Sequence, residues 1–293
     1  MQPGVLNLNK PAGATSFTMV RRLRALTGAK RVGHAGTLDP LATGVLPILF
    51  ESATRLADFA HLLPKKYVAD IELGARTATD DAEGEIVPVA DAGALTAERV
   101  AAVLAEFVGR IQQRPPAFSA VKIDGERSYK RARAGEDVDP EAREVEIHSI
   151  PLLDFRPGER ARARVEVVCG SGTYLRSLAR DLGDRLEVGG HLGSLVRTAY
   201  GDLLLEQAAS IEELVDGAAV ADRLLPMESI LPGLESVRLT VEQEAMVRQG
   251  RSVRVLPEPG PGRLRAHAGD GRLVALGHAD PLRRTFVPDK VLG

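Results

Sequence analysis

Apolar and polar residues alternate in Val5-Leu6-Asn7-Leu8-Asn9 as they do in a strand. Lys10-Pro11-Ala12-Gly13 then reads as a turn, and Thr15 or Ser16 is placed to cap a helix running to about Gly28. Phe17, Val20, Leu23 and Leu26 give that helix a buried stripe, with Arg21, Arg22 and Arg24 on its other face. Glycines at 33, 36 and 44 and prolines at 40 and 47 make the next stretch a shaped loop that leads into a strand over Val45 to Phe50. A helix is predicted over 52–63, ending before Pro64. Over 67–73, Tyr67, Ala69, Ile71 and Leu73 fall on one face of a strand. An acidic turn follows at 80–85, a helix capped by Thr96 runs to about Val108, and 112–116 breaks the chain before a strand over 119–123. The segment 128–135 is short and very basic. A strand over 161–169 carries Arg160, Arg162 and Arg164 on one side, and Gly170 and Gly172 lead into a helix from about Tyr174 to Leu186.

Leu231-Pro232-Gly233 is a candidate boundary. Beyond it come a strand, a helix capped by Thr240 with Gln243 in the capping-box position, and several short strands, with Asp270-Gly271 as a hairpin turn. The pattern predicts an α+β domain of residues 1–232, with a mixed, largely antiparallel sheet flanked by helices, followed by a small, β-rich, basic domain of residues 237–293.

Composition agrees with an ordinary globular chain: 293 residues, 44% hydrophobic and 27% charged. The single Cys169 excludes an internal disulfide and every zinc site that needs two thiolates, and the six histidines show no close ligand spacing. No metal site is read from these residues. No apolar run spans a bilayer and no export signal opens the chain, so a cytoplasmic, non-membrane protein is expected.

Charge changes the picture more. The formal net charge of −2 conceals blocks of alternating sign: 1–66, 107–135, 160–185 and 238–293 are basic, and the stretches between them are acidic. If the basic blocks converge in space they make a surface for a polyanion, although solvated faces account for the same pattern equally well. Arginine outnumbers lysine 31 to 7, which suits phosphate contacts and base stacking and also follows from genome base composition.

Candidate chemistry lies in the punctuated loops. In Gly36-Thr37-Leu38-Asp39-Pro40-Leu41-Ala42-Thr43-Gly44, Pro40 holds the Asp39 backbone extended, so that Asp39 is either a rigidly presented nucleophile or base or the start of a turn. Tyr67 and Tyr174 are scarce flat surfaces in a chain without tryptophan, available for a base or for the core. Arg176, in the first turn of a helix, is either an anion contact or solvated, and His34 is a base contact or a loop residue.

The run Gly33-His34-Ala35-Gly36-Thr37-Leu38-Asp39-Pro40-Leu41-Ala42-Thr43-Gly44-Val45-Leu46-Pro47 strongly resembles the catalytic motif of bacterial TruB-type tRNA pseudouridine synthases. Further matches follow in chain order: Leu8-Asn9-Lys10-Pro11 with Thr15-Ser16, Lys65-Lys66-Tyr67, Pro116 to Val121, Gly172-Thr173-Tyr174-Leu175-Arg176, and Gly189 to Arg197. The resemblance covers residues 4–202. One departure is Cys169-Gly170-Ser171-Gly172, where the family places serine directly after cysteine. The tail is similar to the family's PUA-type RNA-binding domain in length, strand content and charge.

The resemblance implies isomerisation of the T-loop uridine of tRNA conventionally numbered 55, without metal, nucleotide or redox cofactor. Asp39 would be the catalytic nucleophile, paired and oriented by Arg176, and the sequence leaves open whether it attacks base or sugar or removes a sugar proton. Tyr67 would stack on the flipped uracil, Tyr174 and Leu195 would line its pocket, and His34 would insert into the opened loop. An RNA-contacting insertion is expected near 112–143. The implied partner is the tRNA T stem-loop, bound by a monomer that needs no protein partner. A catalytically silent RNA-binding module is the rival reading, disfavoured by the joint presence of Asp39, Tyr67 and Arg176; a guide-RNA or mRNA-modifying synthase is a second, disfavoured by the compact chain.

Overall fold

The opening alternation is strand β1 (Gly4–Lys10) of a computed structural model that describes residues 1–119, 122–123, 126–128, 131, 136, 138, 140–255, 262–280 and 282–292. Helix α1 (Ser16–Thr27) starts at Thr15, whose hydroxyl accepts the Thr18 N–H, and stops at Gly28, whose φ of 62° closes the helix through an N–H bond to the Arg24 carbonyl. Its buried stripe is Ser16, Met19, Val20 and Leu23, whereas Phe17 is 70% exposed. The spacing that assigned Phe17 to the core fits equally a stripe rotated by one position.

Strand β2 (Thr43–Phe50) begins two residues earlier than expected. The helix expected over 52–63 is instead a tight 3₁₀ turn, Glu51–Leu56, followed by the short α2 (Ala57–His61). Within the turn the Thr54 hydroxyl donates to the Glu51 carbonyl, a local bond of the kind that competes with a regular α-helix. Strand β3 (Lys65–Leu73) alternates as read, with Lys65, Tyr67, Ala69, Ile71 and Leu73 buried. Helix α3 (Ala97–Ala105), β4 (Gly109–Gln113), β5 (Arg143–Ser149), β6 (Arg162–Cys169), α4 (Leu175–Arg185) and β7 (Gly190–Tyr200) complete the larger unit. Lys122–Ile123 pairs with Glu126–Arg127. Most of the basic segment 128–135 lies outside the described residues, as does much of the expected insertion.

The main sheet runs β1-β2-β7-β3-β6-β5-β4, and most of its pairings are antiparallel. The exception that matters is β7 with β2, parallel over only Val196↔Thr43 and Arg197↔Gly44. Gly44 makes this approach possible: a Cβ there would lie 2.2 Å from the Arg197 carbonyl oxygen, and its φ is +101°. One apolar core joins the helical side of the sheet to α1, α3 and α4.

Beyond residue 234, β8 (Glu235–Arg238), α5 (Val241–Arg248), β9 (Val253–Arg254), β10 (Arg263–His267), β11 (Leu273–Asp280) and β12 (Thr285–Val291) form a five-stranded curled sheet of order β8-β10-β11-β12-β9 among the described residues. The Thr240–Gln243 capping box is present. Besides its own core, this sheet sends Leu273, Leu276 and Leu292 into a cluster with Leu56, Ala60, Tyr200, Ile230 and Leu231 of the larger unit. The fold is therefore the expected α+β arrangement of a mixed sheet with flanking helices and a C-terminal β-rich unit. Among the described residues no helix is long and apolar enough to cross a membrane.

Candidate active site

The segment 35–42 joins the short strand Val32–His34 to the start of β2, where β2 and β7 barely pair, and every carbonyl from Gly36 to Pro40 is held. Arg197 donates Nη2 to the Gly36 carbonyl (3.2 Å) and Nη1 to that of Thr37 (3.5 Å). The Ser16 hydroxyl donates to the Leu38 carbonyl at 3.0 Å and accepts the Leu38 N–H at 2.8 Å. Asp39 receives the Ala42 N–H, and Pro40 receives both the Gly13 N–H (2.8 Å) and Lys10 Nζ (3.3 Å). A loop with its polar backbone so fully engaged presents the Asp39 carboxylate in one place.

The carboxylate opens into a cleft of about 580 Å³, lined among others by Lys65, Tyr67, Asp81, Tyr174, Arg176, Leu195 and Arg197. Arg176, 5% exposed, comes from the first turn of α4. Its Nε lies 2.9 Å from Asp39 Oδ2, its Nη1 lies 3.2 Å from the Thr79 carbonyl and 3.6 Å from Asp81 Oδ2, and its Nη2 donates to the Phe118 carbonyl at 3.1 Å. The start of α4 is fixed in turn: the Gln113 side-chain amide accepts the Tyr174 N–H (2.8 Å) and donates to the Tyr174 carbonyl (3.1 Å).

Tyr67 and Leu195 face the cleft from adjacent strands, β3 and β7. Burial pushes the Tyr67 hydroxyl above its ordinary pKa, so it stays protonated at neutral pH. Tyr174, at the start of α4, is shifted the same way for the same reason. Five of the six residues singled out in the sequence, Asp39, Tyr67, Tyr174, Arg176 and Leu195, thus share one cleft. His34 does not line it. That residue ends the short strand Val32–His34 beside β2, and burial followed by the charge of Arg197 lowers its pKa, leaving a neutral ring at pH 7.

Three residues that the sequence reading did not single out complete the site. Arg197 is 1% exposed and, among the described residues, has no carboxylate within ion-pair distance; its Nε bonds the Val45 carbonyl at 2.6 Å, and its Cζ lies 5.0 Å from the Tyr200 ring centre. Asp81, 2% exposed, accepts from the Thr79 hydroxyl (2.6 Å) and the Glu83 N–H (3.1 Å) while facing Arg176. Lys10 is fully buried and donates to the carbonyls of Pro11 and Ala14 as well as Pro40, and burial lowers its pKa to about 8. For Lys10 and Arg197 the available signal was their place in segments that resemble the family, Leu8 to Pro11 and Gly189 to Arg197; for Asp81 it was the acidic turn.

A carboxylate beside a buried guanidinium, in a cleft that also holds the Tyr67 and Tyr174 rings and Leu195, can bind a flat, neutral heterocycle and offer it an anionic nucleophile. The profile described as TruB family pseudouridylate synthase (N terminal domain) matches residues 24–175, and that of the tRNA pseudouridylate synthase B C-terminal domain matches residues 176–232. A relative named tRNA pseudouridine synthase B from Symbiobacterium thermophilum is 49% identical over 247 residues, covering 84% of this chain and 82% of the relative. One of the same name from Thermobifida fusca is 44% identical over 282 residues, covering 94% of each chain. Among solved structures, a Cbf5-Nop10-Gar1 complex matches with a TM-score of 0.75 at 26% identity, covering 99% of this chain and 85% of that one. With both profiles falling across the residues that build the cleft, the chain belongs to the TruB family of pseudouridylate synthases, and its activity is that of an isomerase.

Proposed function

We propose that the protein converts uridine 55 of the tRNA T loop to pseudouridine, with Asp39 as the nucleophile acting on a flipped-out base. The glycosidic N1–C1′ bond breaks and a C5–C1′ bond forms; the proton that leaves C5 is matched by one gained at N1, so no electrons or groups are exchanged. Arg176 holds the Asp39 carboxylate, Tyr67 stacks on the uracil, Tyr174 and Leu195 wall the pocket, and His34 enters the space the base vacates. Flipping costs a few kcal/mol, which stacking and the inserted ring offset. The C-terminal sheet serves as a PUA-like RNA-binding unit. The protein works as a cytoplasmic monomer without cofactor.

The observation that carries this reading is the 2.9 Å contact between Asp39 and Arg176 at the mouth of a cleft that also contains Tyr67 and Tyr174. Relatives named for a tRNA substrate at 44–49% identity, against 26% for the Cbf5 complex, support a stand-alone tRNA enzyme over a guide-RNA one. The test is incubation of the pure protein with an unmodified tRNA transcript, followed by chemical mapping of pseudouridine. A single modification at position 55 is expected; none, or one elsewhere, refutes the assignment.

A further inference from the structure

The loop between β6 and α4 leads into the Tyr174–Arg176 side of the cleft and begins Gly170-Ser171-Gly172, so backbone freedom is high on both sides of Ser171; Gly172 has a φ of +82°. The Ser171 hydroxyl donates to the carbonyl of His61 and accepts from Lys65 Nζ at 3.2 Å. Lys65 also donates to the His61 carbonyl at 2.5 Å and lies 5.0 Å over the Tyr200 ring. The His61 carbonyl is at the end of α2, where a helix leaves its last carbonyls without internal partners. Of the two donors, Lys65 lines the cleft, and Ser171 lies between Gly170 and Gly172, which line it too.

The other end of α2 is gripped by the C-terminal sheet. The Phe59 ring has Arg263 Cζ at 4.8 Å and Lys290 Nζ at 5.2 Å from its centre, and Lys290 Nζ lies 3.0 Å from Asp58 Oδ2. Leu276 and Leu292 pack in the same buried cluster as Leu56 and Ala60. A continuous set of contacts thus runs from the C-terminal sheet through α2 to Ser171, three residues before Tyr174 and five before Arg176.

We propose that Ser171 is a positioning residue for the reaction, through which the C-terminal sheet, by way of α2, fixes the loop that leads into Tyr174 and the first turn of α4, where Arg176 lies. The C-terminal sheet then contributes to the chemical step as well as to any RNA it contacts. The kinetic readout rests on the proposed reaction; the exchange readout below does not.

In the full chain, Ser171→Ala should slow single-turnover pseudouridine formation at saturating tRNA about tenfold, because a loosened loop misplaces Arg176 against Asp39, while the dissociation constant stays within about twofold. Ser171→Thr, which keeps the hydroxyl, should recover most of the rate. Phe59→Ala should act in the same direction, and the Ser171→Ala/Phe59→Ala double variant should be no slower than the slower single one, since both cut one path. Independently of activity, amide hydrogen exchange over 170–175 should rise about tenfold in Ser171→Ala and in Phe59→Ala. A wild-type rate with unchanged exchange in Ser171→Ala overturns the proposal, as does a double variant whose losses multiply, or a Thr variant as slow as the Ala one. If the wild-type protein makes no pseudouridine, the reaction assigned above fails, and the exchange measurement still decides the tie.

Discussion

Arg176 and Asp39 meet at 2.9 Å with unequal freedom: the arginine side chain is 6% exposed and the aspartate 34%. The carbonyls of Thr79 and Phe118 fix the guanidinium from behind, so the cation is a rigid wall and the carboxylate is the open, presented group. Nε has the carboxylate oxygen at ion-pair distance without hydrogen-bond alignment, a geometry that tightens in many enzymes only when substrate closes the site.

Asp39→Asn should abolish turnover. The amide keeps the shape of the side chain but supplies no anionic nucleophile, so tRNA should still bind while pseudouridine formation falls below a few per cent of wild type in single-turnover assays. A higher residual rate would remove Asp39 from the nucleophile role.

Arg176→Lys should be nearly as damaging. One guanidinium here touches Asp39, Asp81 and two carbonyls, and an ammonium cannot reach all four. A loss of at least 100-fold in kcat/KM is expected; near-normal activity in the Lys variant would show that charge alone suffices.

Arg197→Met should cost about 3 kcal/mol of stability, because the carbonyls of Gly36, Thr37 and Val45 lose their donor inside the protein. The rate should fall with it, since the same carbonyls shape the Asp39 loop. Urea midpoints together with single-turnover rates check both; a stable and fully active variant would contradict the loop-holding role.

Raising pH should separate activity from stability. Burial lowers the pKa of Lys10 and Lys65 to about 8, against an ordinary 10.5. Above about pH 8 both lose their protons in the folded protein, and the bonds from Lys10 to the Pro40 carbonyl and from Lys65 to Ser171 and His61 weaken, so the rate should fall. The unfolded chain keeps these protons up to about 10.5 and therefore binds more of them between the two values, so the contribution of these groups to folding stability rises across that window. A flat rate profile from pH 7 to 9.5, or stability contributions that fall between wild type and Lys10→Met comparisons, would contradict this.

Salt should weaken RNA binding steeply. Arg21, Arg22 and Arg24 lie on the exposed side of α1, and among the described residues none of them is in an ion pair. If they contact phosphates, the double variant Arg21→Glu/Arg24→Glu should raise the dissociation constant and lower the slope of log affinity against log salt by about 2. An unchanged slope would leave the α1 face outside the RNA interface.

Much of this was legible in the chain. The strand β1, the alternation of β3, the caps of α1 and α3, the capping box of α5 and the Asp270-Gly271 hairpin all rest on local chemistry, which sequence states directly, although β1 is buried on both faces. Strand β7 did not read as a strand, because register shifts at Leu192/Ser194 and Arg197/Ala199 break its period of two. Asp39 could be named because a long motif surrounds it, and Tyr67, Tyr174, Arg176 and Leu195 because shorter matched segments contain them. Lys10 and Arg197 lie in such segments too, but their roles, like that of Asp81, depend on burial beside carbonyls and charges that are distant along the chain.

The C-terminal sheet is tied beyond the end of β12: Leu292 donates its backbone N–H to the Val274 carbonyl and fills the cluster beneath α2. Without it, Leu56 and Ala60 would have an open apolar flank, and α2 would lack the support that carries through to Ser171. On the role proposed for Ser171, a lesion in β12 would therefore be felt at the cleft without touching any residue that lines it, so that damage to this sheet would read as an enzymatic defect.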